Sequence, residues 1–164
     1  MAHPRAVQRV IDAGRALGIE VEPRSFPEGT KTAHDAARAV GVGVGQIVKS
    51  LIFVVDDEVV VAYVSGANQL DEVKLASAAG GRRCSRADAA RVRSTTGFAI
   101  GGVPPFGHDH PSRTFVDPDL LAYDTVWAAA GTDRDVFALA PNQLVAWSGA
   151  TVATLKRDET ISAG

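Results

Sequence analysis

Two apolar runs, residues 47–55 and 59–65, flank the acidic turn Asp56-Asp57-Glu58. Valine, isoleucine, phenylalanine and tyrosine dominate both arms, and neither holds an interior Gly or Pro, so the stretch reads as a β-hairpin. The runs are nearly continuous rather than alternating, as in strands covered on both faces. The rest of the chain must therefore supply covers for two sides of one hairpin. A single charged side chain, Lys49, lies inside this apolar material. An unpaired buried ammonium costs several kcal/mol. Either its end opens into a cleft or meets an anion, or it sits at an edge and snorkels to solvent.

The segments around the hairpin carry helix signals. Pro4 followed by Val7, Val10, Ile11 and Leu17 marks a first helix stopped by Gly18, with a short strand at 19–21. The turn-rich connection 23–29 holds Phe26, either a core plug or a pocket wall. Thr32 with Asp35 opens a thin, alanine-rich helix over 33–40. Its successor GVGVG precedes a strand rather than linking strand to helix, which argues against a nucleotide loop. After the polar loop 65–69, Asp71 caps a helix carrying Val73, Leu75, Ala76 and Ala79, closed by Gly80-Gly81. Residues 82–85 are extended, and Asp88 caps a helix over 89–95. Strands are expected at 113–117, 125–130, 136–140 and 152–155, with a Pro141-led helix stopped by Gly149 and a frayed tail over 156–164.

Two segments stand out chemically. Residues 98–107, FAIGGVPPFG, hold three glycines and two prolines within seven residues, beside Phe98 and Phe106. Such a loop is stiff yet bares its main chain, and serves either to meet a ligand or simply to turn tightly. Arginines 82, 83, 86, 91 and 93 make the most basic stretch, either a solvated face or a phosphate-facing patch. The histidines 3, 34, 108 and 110 form no metal signature, and a surface loop rim is their expected place. Cys84 has no histidine near it in sequence and reads as a small buried residue. Asp133 and Asp135 are either solvated turn residues or, for one of them, a cleft residue.

A length of 164 residues is expected to make one domain, over 1–164. The net charge of −2 gives no broad basic footprint, which leaves room only for contact with a few phosphates. One cysteine excludes an internal disulfide framework. No signal peptide opens the chain and no run approaches a membrane span, so a cytoplasmic, reducing setting is expected.

The succession HDAARAVGV, GQIVKSLIF, YVSGANQLDEVKLASAAG, TGFAIGGVPPFG and WAAAGTDRDVFALAPNQL, over about 30–155, resembles the YbaK/EbsC family. The strand lysine in IVKSL followed by the GxxxP loop Gly101–Pro105 carries the likeness. These are aminoacyl-tRNA deacylases related to the editing domain of bacterial prolyl-tRNA synthetase. The resemblance implies an α+β fold, a curved mixed sheet approaching an open barrel with several helices around it. It implies removal of a small mischarged amino acid, cysteine or alanine, from tRNA, with proline tRNA first in line. No cofactor or metal is implied. The implied partners are the aminoacyl-tRNA 3′ end and prolyl-tRNA synthetase.

By the same resemblance Lys49, Gly101 and Gly102 are the catalytic candidates. Substrate contacts fall to Phe26, Thr30, Ser50, Ser65, Gly66, Asn68, Val103, Pro105, Phe106, Gly107, Ala130, Gly131 and Thr132. Lys49 would bind a terminal phosphate or stabilise charge on the ester oxygen. The Gly101-Gly102 main chain would position the aminoacyl group, so both glycines are expected to matter more to activity than to stability. Ser50 points to the opposite face of a regular strand and matches no fixed catalytic pattern. With no nucleophile beside a base, the expected route is attack by water, guided by a small apolar pocket at Phe26 and alanines 128–130. Attack by a substrate thiol is the other route. A noncatalytic tRNA-binding module, or a hydrolase of a small non-tRNA ester, would share the fold.

Overall fold

The computed structural model describes residues 3–29 and 32–158. The hairpin forms as expected: β2 (Val48–Val55) pairs antiparallel with β3 (Glu58–Ser65) in the register Val55↔Glu58 through Val48↔Ser65, after a first strand β1 (Arg24–Ser25). The turn is shorter than the acidic triplet suggested. Only Asp56 and Asp57 form it, with φ of 46° and 72°, and Glu58 already belongs to β3. Positive φ at both centres fits the twist of a two-residue hairpin, and aspartate tolerates it better than most residues. The Asp56 carboxylate accepts the main-chain N–H groups of Arg82 and Arg83 at 3.0 and 2.8 Å, which holds it well below the usual carboxylate range.

Both hairpin faces are covered, as the unbroken apolar runs required. On one, Val48, Ile52, Val61 and Tyr63 pack with Val7, Val10, Val126, Ala128 and Phe137. On the other, Phe53, Val55, Val60, Ala62 and Val64 pack with Leu70, Leu75, Ala76 and Leu155. The covers are α1 (Arg5–Ala16) on the first side and α3 (Glu72–Ala78) on the second. A smaller cluster joins Ala36 and Ala37 of α2 (Ala33–Val40) to Ile47 and Trp127.

The strands form two sheets, not one closed barrel. Five strands run β4-β2-β3-β5-β8, adding β4 (Cys84–Arg86), β5 (Arg113–Val116) and β8 (Thr151–Val152); β3, β5 and β8 are mutually parallel neighbours, which makes the sheet mixed. Three run β1-β7-β6, with β6 (Val126–Ala129) and β7 (Asp135–Leu139). One bridge, Ile47↔Trp127, ties them. Helices α4 (Ala89–Thr96) and α5 (Pro141–Ser148), with short 3-10 turns at Val44–Gln46 and Pro118–Ala122, complete the described elements, and no helix among them is long and apolar enough to cross a membrane.

Some boundaries differ from expectation. Residues 19–21 are not a strand; β1 forms three residues later, where Phe26 N–H bonds Arg134 C=O. The last strand ends at Val152, because Leu155 C=O instead accepts Asp71 N–H at the mouth of α3. The start of the tail is held: Lys156 bridges Leu70, and residues 159–164 lie outside the described part.

Candidate active site

The β4 strand pairs with β2 only at Phe53–Val55, leaving the first half of that β2 edge open. A cleft of about 660 Å³ runs along it, within the usual size of small-molecule sites. Its walls are Ile47 to Leu51, the loop Gly66 to Gln69, the start of α2, Trp127 and Ala129 of β6, and Arg86, Ile100, Gly101 and Thr132. Because the cleft follows an edge, it collects side chains from both strand faces, so Lys49 and Ser50 both line it. Ala87 N–H bonds Ile52 C=O on this side. By the two-residue strand period, Ser50 turns its main-chain N–H and C=O the same way.

Lys49 is half-buried, and its ammonium donates to the main-chain oxygen of Asn68. Burial lowers its pKa, repulsion from Arg86 lowers it further, and Asp117 raises it. Asn68 is itself fixed. Its side-chain nitrogen donates to Asp117 at 2.7 Å and to Asp119 at 2.8 Å, and Lys156 donates to Asp119 at 2.9 Å. Asp117 is 1% exposed and also accepts Ser65 N–H at 3.1 Å and Asp119 N–H at 2.9 Å. One buried carboxylate thus holds the loop that receives the lysine. The Ser50 Oγ is buried and has no hydrogen-bond partner among the described residues, an uncommon state for a hydroxyl.

The loop 98–107 separates its two central glycines. Gly101 is exposed to the cleft at φ 86° and makes no main-chain hydrogen bond among the described residues. Gly102 is buried, donating to Ala99 C=O at 2.9 Å and accepting from Gly131 N–H at 3.0 Å. A Cβ on Gly102 would stand 2.6 Å from the Gly131 oxygen and 2.8 Å from Thr132 Cα, both backbone. Tyr63 Oη and His108 Nε2 donate to the Pro104 oxygen at 3.3 and 2.6 Å, and Phe98 and Phe106 are buried beneath. The two substitutions are accordingly expected to differ. Gly102→Ala forces backbone apart, at about 1–3 kcal/mol, and lowers the melting temperature more. Gly101→Ala carries only its left-handed φ, about 1–2 kcal/mol, and loses more turnover than stability. Melting curves beside turnover for the two variants check this; Gly101→Ala with unchanged turnover would show that the loop only turns the chain.

Of the residues singled out by sequence, Lys49, Ser50, Gly66, Asn68, Gly101 and Thr132 come together in the cleft. Ser65 lies just behind, its hydroxyl donating to Gly45 C=O at 2.8 Å. Val103, Pro105, Phe106, Ala130 and Gly131 are buried, and Gly107 lies on the loop's far side near Trp147. Phe26 lines a neighbouring cleft with Asp35 and Arg38. Arg24 lies between the two, its guanidinium 5.5 Å from the Phe26 ring and 5.4 Å from Trp127. Thr30 lies outside the described residues. Of alanines 128–130 only Ala129 lines the cleft. Asp135 is buried and accepts the Thr132 hydroxyl, while Asp133 is exposed. His108 is half-buried rather than on a surface rim, whereas His34 is exposed at the cleft. Burial pushes the Cys84 thiol up to about 11, with Glu72 adding to it, and Cys84 sits at the far end of β4 from the cleft.

Sequence reasoning gave no cleft role to Trp127, His34, Ile100 or Gln69, named Ala129 as a pocket residue only together with Ala128 and Ala130, and saw Arg86 only as part of a basic run. Strand parity is the missing signal for Trp127 and Ala129: alternate residues of β6 are buried, and the partly exposed ones face the cleft.

Comparison with known proteins agrees with this geometry. A family model described as an aminoacyl-tRNA editing domain matches residues 27–146. A crystal structure of a candidate trans-editing enzyme for prolyl-tRNA synthetase superposes with a TM-score of 0.91 at 44% identity, over 96% of this chain and 100% of that one. The proline–tRNA ligase of Maridesulfovibrio salexigens is 35% identical over 107 residues, 65% of this chain and only 18% of the ligase. EbsC of Enterococcus faecalis, named as a candidate Cys-tRNA(Pro)/Cys-tRNA(Cys) deacylase, is 26% identical over 136 residues, 82% of this chain and 83% of EbsC. With the family model spanning both the open strand edge at Lys49 and the loop at Gly101, this chain belongs to the aminoacyl-tRNA editing domain family.

Proposed function

We propose that this protein is a free-standing hydrolase that removes cysteine or alanine from mischarged proline tRNA by cleaving the aminoacyl ester. As a member of the editing family it is an aminoacyl-tRNA deacylase; the amino acid, the tRNA and a working partnership with prolyl-tRNA synthetase in the cytoplasm are the parts proposed here. The observation that carries the reading is the cleft itself, which sets a half-buried ammonium, a buried hydroxyl without a partner and an unbonded glycine main chain around one open strand edge.

An aminoacyl ester is already activated, so a site that holds the carbonyl and admits water needs few reactive side chains. In this reading the Ser50 main chain and Gly101 position the α-amine and carbonyl. Lys49 stabilises the negative charge that develops on the carbonyl oxygen as water adds, and the terminal ribose hydroxyl leaves with a proton. The Ser50 hydroxyl supplies a further polar contact.

A panel of mischarged tRNAs tests the assignment. Cysteinyl and alanyl esters of proline tRNA are expected to be hydrolysed, and the correct prolyl ester spared. One methylene is worth about 1–3 kcal/mol in such a pocket, and proline carries two more carbons than alanine, so the discrimination is expected to be at least about tenfold. Hydrolysis of the cysteinyl ester alone, with a thiolactone released, would replace water by the substrate thiol. No turnover on any ester would leave a noncatalytic binding module.

A further inference from the structure

Residues 82–93 hold five arginines and one carboxylate, in a chain whose net charge is −2. Arg82, Arg83, Arg86, Arg91 and Arg93 are all exposed. None forms an ion pair among the described residues, and neither do Arg5, Arg15, Arg24, Arg134 and Arg157, which are scattered along the chain; Arg9, Arg38, Arg113, Lys74 and Lys156 do. Of the nearby carboxylates, Asp56 takes the Arg82 and Arg83 main-chain N–H groups and attracts both guanidinium charges at longer range, and Asp88 caps α4 through Arg91 N–H at 2.8 Å. What sets this stretch apart is its density, five exposed arginines within twelve residues. Guanidinium pairs with phosphate oxygens in two-bond geometry, which suits it to a phosphate track.

The placement is directional. Arg86 lines the cleft and rests over the Phe53 ring at 5.9 Å. β4 runs antiparallel to β2, with Arg86 opposite Phe53 and Cys84 opposite Val55, so the chain leads from the cleft towards the hairpin turn. Four residues of chain span at most ~14 Å, so Arg82 and Arg83 extend the positive charge outward from the cleft mouth by up to that distance. α4 starts from the same end of β4, its Val92 buried and Arg91 and Arg93 exposed on the two flanks beside it.

We propose that this arginine surface seats the phosphates of the acceptor stem of the RNA whose 3′ end enters the cleft. The proposal rests on the tRNA reading above and adds where the RNA lies: over β4 and α4, not over α1 or α5. A near-neutral protein can then bind a polyanion through a local patch, with an affinity that falls steeply with salt.

The test compares Arg91→Gln/Arg93→Gln with the charge-matched control Arg5→Gln/Arg15→Gln on the exposed side of α1; none of the four residues lines the cleft. Binding of uncharged proline tRNA is measured by anisotropy across a series of KCl concentrations. Each lost phosphate contact removes about 0.9 from the slope of log affinity against log salt, so the first variant is expected to lose nearly 2 and the control nothing. Its kcat/KM on full aminoacyl-tRNA is expected to fall at least about tenfold, while turnover of aminoacyl-adenosine stays at the wild-type level. An unchanged slope overturns the proposal, as does equal loss in the control. Unchanged tRNA binding with a lost response to added prolyl-tRNA synthetase overturns it too, and makes the patch a protein contact. Because uncharged tRNA is not a substrate, a slope that falls in a protein inactive on every ester upholds the docking surface while the catalytic reading fails.

Discussion

Lys49→Ala and Lys49→Met are expected to lower deacylation by about 10²–10³-fold while leaving the fold intact, the usual loss when one preorganised donor to a developing oxyanion is removed. Methionine keeps the aliphatic stem against Leu51 and the Asn68 loop but removes the charge. Neutralising a cation whose burial is already unfavourable does not destabilise the native state, so melting curves should match wild type. The pH profile makes the assignment sharper. The ammonium is the active form in this reading, and its pKa is lowered from 10.5, first by burial and then by Arg86. Turnover should therefore decline on the alkaline side at a pH below 10.5, after subtraction of uncatalysed ester hydrolysis. Arg86→Gln removes a repulsion and should move that decline upward. The linked stability runs the other way: between the lowered native pKa and 10.5 the unfolded chain holds more protons, so stability rises with pH across that window and the rise vanishes in Lys49→Met. Wild-type turnover in a folded Lys49→Met would defeat the assignment.

How much of this could be read from the residues depends on whether a feature is local. The hairpin was legible because fifteen or so nearly unbroken β-branched and aromatic positions leave no helical reading, and its double coverage followed from the missing alternation. The helix starts at Thr32, Asp71 and Asp88 were legible because the capping bond spans only two or three residues; Thr32 accepts Asp35 N–H at 3.0 Å. β1 was not legible, and β4 and β8, expected as an extended piece over 82–85 and a strand over 152–155, gave no sign of their partners: with two or three residues each, pairing is decided by distant residues such as Val136 and Phe53. The same reason hid the difference between Gly101 and Gly102. Adjacent and identical in sequence, they are separated by a contact with Gly131, thirty residues on. Lys49 stood out because a charge in an apolar strand is anomalous by itself. Asp117 did not, since a carboxylate at the end of a strand is ordinary until its partners at Ser65 and Asn68 are known.

Asp117 is where the second large effect is expected. Asp117→Ala leaves the buried Ser65 N–H without its acceptor, takes one of two acceptors from the part-buried Asn68 amide, which keeps Asp119, and leaves Asp119 N–H without its cap. Unsatisfied buried donors cost about 1–3 kcal/mol each, and the half-buried Asp119 N–H can turn to water, so a loss of about 2–4 kcal/mol is expected. For a chain of this length that is a fall in melting temperature of roughly 5–15 °C. Asp117→Asn keeps an acceptor oxygen but removes the charge and turns an amide towards other donors; it should fold and lose activity out of proportion to stability. Since Asp117 raises the Lys49 pKa, its neutralisation should move the alkaline decline of turnover downward, opposite to Arg86→Gln. A purely structural carboxylate would lower melting temperature and leave that decline in place. The double variant Lys49→Met/Asp117→Asn separates the two roles. If Asp117 acts through the lysine, its substitution costs no further activity once the ammonium is gone, and the coupling appears as non-additive losses in kcat. Additive losses with an unmoved pH profile would show that the carboxylate only holds the loop.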